Sequence, residues 1–470
     1  MTLDLTLLTW FLFLVTTLLW AASSMLAGGR ALRRTLTWRV IPLSLFGFAW
    51  LAFGALFIMR FVILLYDPVY FGATNYSLTK ISAADLSKSW LYLGICWVAF
   101  CTGVGLMLLW GLQAPTVILR LEDLASPRNV ELMDIIAVVT TVLTVLTKEL
   151  WLPRSLLTLG GHLSSLYILP LMLSWLLYFQ GQDIGRRRYY YIIPGLVSYL
   201  LDPYRQTLLF LTAGICLPAM RMKKGISLVK FLVGVLTFLT VITVITYSYR
   251  DYLSGEETRY EATSFAEQWE TWELQPYKSP WVRLATRFHG FDSLALTIFA
   301  VPQYIPYSHK NIFSELMVRG FIPRAIFPTK PERAQAREFS TSIWALGRRG
   351  FVERRVSSSM IAPSLPGDLF SVNGVTAIIF GSLIYGLLVG LLENWARTSG
   401  LTASCILVGF FGVGVAGGLE RDFVLAASSL IHNLIIFLVA VFILQYLTVT
   451  KASNREKIKQ RKKSYPIFTR

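Results

Sequence analysis

Apolar residues fall in long, nearly unbroken runs separated by polar intervals, most of them short. The runs cover 5–27, 40–66, 91–113, 133–151, 163–180, 226–248, 373–392, 401–418 and 423–447. A helix needs roughly 20 apolar residues to cross the hydrocarbon core. Strands of a membrane barrel would alternate apolar and polar positions, so these continuous runs predict helices. Residues 189–221 differ: Arg186, Arg187 and Arg188 precede them, Arg221, Lys223 and Lys224 end them, and Asp202-Pro-Tyr-Arg205 lies in the middle. Two full crossings do not fit there, and the pattern predicts two short helices meeting at a turn below the outer surface.

Charge orients the runs. Arg30, Arg33, Arg34 and Arg39 follow the first run, Arg120 and Arg128 lie between the third and fourth, and the tail carries Lys451, Arg455, Lys457 and Lys459. Lysine and arginine collect in cytoplasmic loops, which predicts an N-terminus outside, a C-terminus inside and about eleven spans. Charge behind the first run, rather than ahead of it, is the reverse of a secretory signal and predicts a retained helix. The resulting fold class is an all-α polytopic membrane protein. Its parts are N-terminal spans over 1–248, a large extracytoplasmic loop with short helices over 249–372, C-terminal spans over 373–447 and a basic cytoplasmic tail over 448–470.

Composition agrees. Charged residues are 15% of the chain and hydrophobic ones 54%, whereas a soluble domain carries roughly a quarter charged. The net charge of +17 sits largely in loops and tail and implies no nucleic acid. Cys96, Cys101, Cys216 and Cys405 fall in or beside apolar runs without metal-ligand spacing, so neither disulfides nor a metal site is expected.

Two charged groups lie within the runs. Arg60 is near the outer end of its span, where it is expected to snorkel to the interface without a further role. Arg205 sits at membrane depth, at a cost on the order of 3 kcal/mol; it either lines a functional cavity or pairs with Asp202 to cap the turn.

The long polar interval divides by charge. Residues 251–273 are acidic and lie close to Trp269, Trp272 and Trp281, a set that suits either sugar stacking or an interfacial helix. Residues 278–355 are basic, fitting either an anionic ligand or acidic lipid headgroups. Arg283 and Arg287 are four apart, on one helical face. His289 and Asp292 follow as candidate proton acceptors, with Glu315 a third. The stretch Arg319-Gly-Phe-Ile-Pro-Arg-Ala-Ile-Phe-Pro-Thr-Lys-Pro-Glu332 sets Arg319, Arg324 and Lys330 among three prolines. Prolines interrupt helices, and cations on a stiff turn suit a phosphate or diphosphate.

Phe321-Ile-Pro-Arg-Ala-Ile-Phe-Pro-Thr-Lys-Pro331 resembles the proline-arginine signature of bacterial oligosaccharide repeat-unit polymerases of the Wzy type, which build O-antigen, capsule and exopolysaccharide. Ser357 to Gly374, leading into a helix with Gly381, Gly386 and Gly390, resembles that family's second landmark, with Asp368 where glutamate is common. Tyr204-Arg205 is similar to its intramembrane Ser-Arg, from which Tyr204 departs. The resemblance spans about residues 190–400. It implies a GT-C-like membrane glycosyltransferase of the bacterial inner membrane that needs no cofactor and no metal. Its substrates would be undecaprenyl-diphosphate-linked oligosaccharides, as donor and acceptor, and a chain-length regulator is an admissible partner. Arg205, Arg283, Arg287, Arg319, Arg324 and Lys330 would bind the diphosphate, and Asp292 or His289 would take the acceptor proton. An O-antigen ligase shares the architecture and the lipid donor. A transporter or flippase of a lipid-linked glycan is the alternative of another class.

Overall fold

The computed structural model describes residues 5–28, 44–66, 81–126, 129–149, 163, 165–182, 184–201, 205–222, 234, 237, 241, 289–322 and 363–464. These residues are helical or irregular, with no strand among them. Seven helices are long and apolar enough to cross a membrane: Leu7–Ser24, Leu45–Leu65, Ala83–Trp110, Val130–Thr147, Leu365–Thr398, Leu401–Gly418 and Phe423–Thr448. Among the other expected runs, 163–180 yields a shorter apolar helix, Ser165–Phe179. The run at 226–248 lies outside the described residues except at three positions.

Helix α1 (Leu7–Gly28) packs on α2 (Leu45–Phe53) through a tryptophan pair. The rings of Trp20 and Trp50 stack at 4.2 Å, and each indole N–H donates to the other's carbonyl, at 2.8 and 2.7 Å. Each ring thus buries its apolar face while satisfying its one donor. Helix α2 runs into a π-helical turn, Gly54–Met59, and then α3 (Arg60–Tyr66).

Helix α4 (Ala83–Trp110) begins eight residues before its apolar run. Ser82 caps it, accepting the Asp85 N–H at 3.1 Å, and Gly111 closes it with φ 60°. The hydroxyls of Ser87 and Ser89 bond back to the carbonyls of Ala83 and Asp85, so the polar first turns stay satisfied. Helices α5 (Val130–Glu149), α6 (Ile168–Phe179), α7 (Ile193–Leu201) and α8 (Arg205–Met222) come next. The expected short pair over 189–221 therefore corresponds to α7 and α8, with residues 202–204 between them outside the described set.

Helix α9 (Gly290–Ala300) is a short helix within the 249–372 interval, where short helices are expected. Ten of its eleven residues are buried, and it packs against α4, the π turn and α10 (Leu365–Thr398). The apolar face that hydropathy assigned to a loop therefore belongs to the bundle.

Helices α4 and α10 pack along their lengths and touch backbone to backbone. A Cβ at Gly386 would collide with the carbonyl of Phe100, and one at Gly390 would sit 2.8 Å from the Cα of Val104. Small residues allow such an approach in lipid, where packing rather than water expulsion drives association. Along the seam, Cys96 Sγ and Ser382 Oγ are 3.1 Å apart, and Asn394 donates to the carbonyl of Leu112.

Helices α11 (Leu401–Gly418) and α12 (Phe423–Ser464) complete the bundle. Between them the expected Glu420–Arg421–Asp422 turn forms, with the Glu420 and Arg421 amides donating to the carbonyls of Gly417 and Gly418. Helix α12 continues well past its apolar stretch, so the first part of the tail is helical.

The bundle has two distinct ends. At one, Glu393 accepts the Phe46 N–H at 3.2 Å and the Arg397 Nε at 2.6 Å, while Glu122 accepts the Thr402 N–H at 2.8 Å. Each of these carboxylates satisfies donors at the start of a helix, where the dipole favours negative charge. The other end holds Arg60, α9, the start of α10 and the Glu420–Asp422 turn.

Candidate functional site

A π turn adds a residue to the helical turn, rotating the residues beyond it by roughly 100° relative to an uninterrupted α-helix. Here that turn, Gly54–Met59, immediately precedes Arg60. Arg60 accordingly faces inward: its side chain has 0% exposure, as does that of Asp292. This corrects the expectation that Arg60 snorkels to the interface. Its Nε donates to Asp292 Oδ1 at 3.0 Å and its terminal nitrogen to Oδ2 at 2.5 Å. A two-point fork of this kind is the strong form of a carboxylate–guanidinium contact.

The aromatic neighbours of both residues in the chain pack together. Phe61, Trp90 and Phe291 lie at mutual centroid distances of 5.0 Å. Gly290 lets α9 approach the π turn: a Cβ there would stand 3.0 Å from the Phe57 ring and 3.2 Å from the Leu56 carbonyl. His289 occupies the N-cap position of α9 and is half-buried. Asp292, expected to face an acceptor sugar as a proton acceptor, instead has both oxygens turned to Arg60 and is sealed within the bundle. The geometry makes it an anchor for Arg60 and α9.

Beside this pair the chain makes a second polar construction. Helix α10 is broken at Asn373 (φ −155°, ψ 36°) and Gly374 (φ 62°, ψ −143°). The expected loop-to-span boundary at 372–373 falls on this break, but the helix itself starts at Leu365. A break strands carbonyls, and the 301–311 segment satisfies two of them: the Ser308 and His309 N–H groups donate to the carbonyls of Ser371 and Val372 at 3.0 and 3.1 Å. His309 takes a positive φ of 46° in doing so. The Tyr307 hydroxyl would stand 3.3 Å from a Cβ at Gly374, and its ring packs edge-on to Phe370. Backbone held in sparsely populated regions marks places where the surrounding fold over-determines the chain.

Two carboxylates meet the start of α12 next to this break. Asp368 Oδ2 accepts the Phe423 N–H at 2.9 Å, and Asp422 Oδ1 accepts the Leu425 N–H at 2.7 Å. Both residues are buried. Among the described residues, Asp422, Glu315 and Lys310 are charged groups near Asp368. Arg60 and Asp422 had no assigned role in the sequence, and Asp368 entered only as a motif letter. The intramembrane position of Arg60 was the visible signal; its inward direction depends on the π turn.

The remaining expected residues fall unevenly. The backbone of Arg205 opens α8, and that of Arg319 lies in a second π turn, Leu316–Phe321, which packs against α12. Their side chains are outside the described residues, and so are Arg283, Arg287, Arg324 and Lys330. The structure thus joins Arg60 to Asp292, with His289 three residues before Asp292 at the start of α9, while the side chains of the expected diphosphate-binding set lie outside the described residues.

A family model described as Domain of unknown function (DUF8712) matches residues 201–452, just over half of the 470 residues. The match encloses both signature stretches, α9, α10 and α11, and the apolar part of α12. No curated protein and no solved structure matches the chain.

Proposed function

The chain belongs to the DUF8712 family, and we propose that this member polymerises lipid-linked oligosaccharides at the outer face of a bacterial inner membrane. In this reading the chain makes about eleven spans, and the end holding Arg60 and Asp422 faces outward. The donor is a growing glycan on undecaprenyl diphosphate and the acceptor is one lipid-linked repeat unit. An acceptor hydroxyl attacks the anomeric carbon, the bond to the lipid diphosphate breaks, and the hydroxyl proton passes to a base. Arg205, Arg283, Arg287, Arg319, Arg324 and Lys330 stabilise the charge gathered on the departing diphosphate. His289 is the base of choice, because Asp292 is committed to Arg60. Asp292 acts as a positioning residue: through Arg60 it fixes α9, and so the chain that carries Arg283, Arg287 and His289.

The observation that carries the reading is the Phe321–Pro331 stretch, three prolines around Arg324 and Lys330. The placement of Arg319 on a turn packed against α12, at the end rich in buried carboxylates and broken helix, supports it. A transporter of lipid-linked glycans is the second reading, favoured by a charge pair inside the spans. Against it, Arg60 and Asp292 are sealed and forked rather than lining a passage.

Deleting the gene and resolving the surface glycans by size tests the proposal. A single capped repeat unit supports polymerisation. Full-length polymer stranded on its lipid carrier indicates a ligase, and repeat units held in the inner leaflet indicate a flippase.

A further inference from the structure

At the bundle end that carries Glu122 and Glu393, the chain places three consecutive arginines, Arg186 to Arg188, beside Tyr189 and Tyr190. Arg188 is held against aromatic faces: its guanidinium carbon lies 3.9 Å from the Tyr178 ring centroid, 4.8 Å from Tyr189 and 5.7 Å from Trp175. One of its nitrogens donates to the Tyr189 hydroxyl at 3.0 Å. Such stacking presents a planar cation in a fixed orientation at little cost in side-chain freedom. Arg187 is exposed and tied to Asp134 at 3.3 Å, and Asp134 also accepts the Tyr191 hydroxyl at 2.8 Å. Burial first, and the Asp134 carboxylate second, push the Tyr191 phenol above its ordinary value, which keeps it a donor. Arg187 thus shares Asp134 with Tyr191, while Arg186 is exposed.

Directly beyond the arginines, α7 exposes Ile193, Leu196 and Leu200, with 46%, 44% and 56% of their surface open. Their spacing puts them along one helical face. A cationic, aromatic-lined ledge continuous with an apolar stripe matches an amphipathic anion whose charge sits above hydrocarbon.

We infer that Arg186, Arg188 and the Tyr178–Tyr189 rings bind the headgroup of an acidic glycerophospholipid, whose acyl chains lie along Ile193, Leu196 and Leu200. Charge complementarity selects the headgroup, and the stripe selects a lipid over a soluble acidic partner. The inference is independent of the polymerase reading, because it concerns the opposite end of the bundle.

Spin-labelled phosphatidylglycerol and phosphatidylcholine, each added to phosphatidylcholine bilayers holding the full-length protein, give the relative affinity for the acidic lipid. The wild-type protein should prefer phosphatidylglycerol, and R186Q/R188Q should lose roughly fivefold of that preference per arginine at low salt. Arg188→Lys keeps the charge but loses the planar stack, and should also weaken it. Lys88→Gln, at the other end, should leave it unchanged. Equal preference in wild-type and R186Q/R188Q protein overturns the inference, as does an equal loss from Lys88→Gln. If the double variant does not fold, the wild-type protein alone still decides: the preference should fall sharply as salt is raised, and a salt-independent preference overturns the inference.

Discussion

Arg60 and Asp292 stand 232 positions apart and meet in a two-point fork with no solvent access. The contact fastens α9, which comes after the long acidic stretch, to the second span, which precedes it. Removing one partner leaves the other charged and buried, at a cost of about 3–5 kcal/mol. Replacing both with apolar residues of similar volume removes that penalty. Arg60→Met or Asp292→Leu alone should therefore sharply lower the yield of folded, detergent-extractable protein. The double variant should recover most of it, as judged by size-exclusion profile and thermal midpoint. Equal losses in single and double variants would refute the pairwise account.

The seam between α4 and α10 makes a second prediction. A side chain at Gly386 has to displace the backbone of Phe100, whereas Gly105, on the same α4, has open space around its Cβ position. Gly386→Leu should cost at least the ~1–3 kcal/mol of ordinary overpacking and should reduce folded protein. Gly105→Ala should leave the thermal midpoint unchanged or slightly raised. Matching behaviour of the two variants would argue against direct backbone contact.

Gly374 tests the break in α10. Its φ of 62° with ψ −143° is a conformation L-residues scarcely adopt, and strain there costs on the order of 1–3 kcal/mol. Gly374→Ala should lower the thermal midpoint, and Tyr307→Phe, which keeps the ring on Phe370, should not. In the proposed reading Gly374→Ala should also shorten the glycan, because the break shapes the strap carrying Tyr307 and His309.

The carboxylate caps make a graded prediction. Asp368→Asn keeps an oxygen for the Phe423 N–H, and Asp368→Ala loses it. Loss of a cap costs roughly 0.5–2 kcal/mol, so the Asn variant should stay close to wild type and the Ala variant should be the less stable. An alanine variant as stable as wild type would remove Asp368 from the capping role.

Much of the bundle was legible from hydropathy, because lipid demands long continuous apolar helices. The runs for α1, α5, α11 and the apolar part of α12 emerge near their expected limits, and Glu420–Asp422 turns where its charges predicted. Other features depend on tertiary context. Ser87 and Ser89 lower the hydropathy of α4, yet their hydroxyls are satisfied within the helix, so it starts earlier than its apolar run. Asp368 and Asn373 hide the first turns of α10 in the same way. Helix α9 is too short to register as a span and becomes apolar territory only when packed between α4 and α10. The direction of Arg60 depends on a π turn that no periodicity announced. Of the site, the Arg60–Asp292–His289 neighbourhood is described. The Arg324 and Lys330 stretch remains a reading of residue type and proline spacing.

That stretch is where the account is most exposed. Purified protein in proteoliposomes, supplied with undecaprenyl-diphosphate-linked repeat units, should yield a ladder of lengthened glycans and release one undecaprenyl diphosphate for each bond formed. Arg324→Ala should abolish the ladder while leaving the thermal midpoint and the Arg60–Asp292 coupling intact. A wild-type protein that moves the lipid-linked unit across the bilayer without lengthening it, or an Arg324→Ala protein that makes the full ladder, would contradict the account.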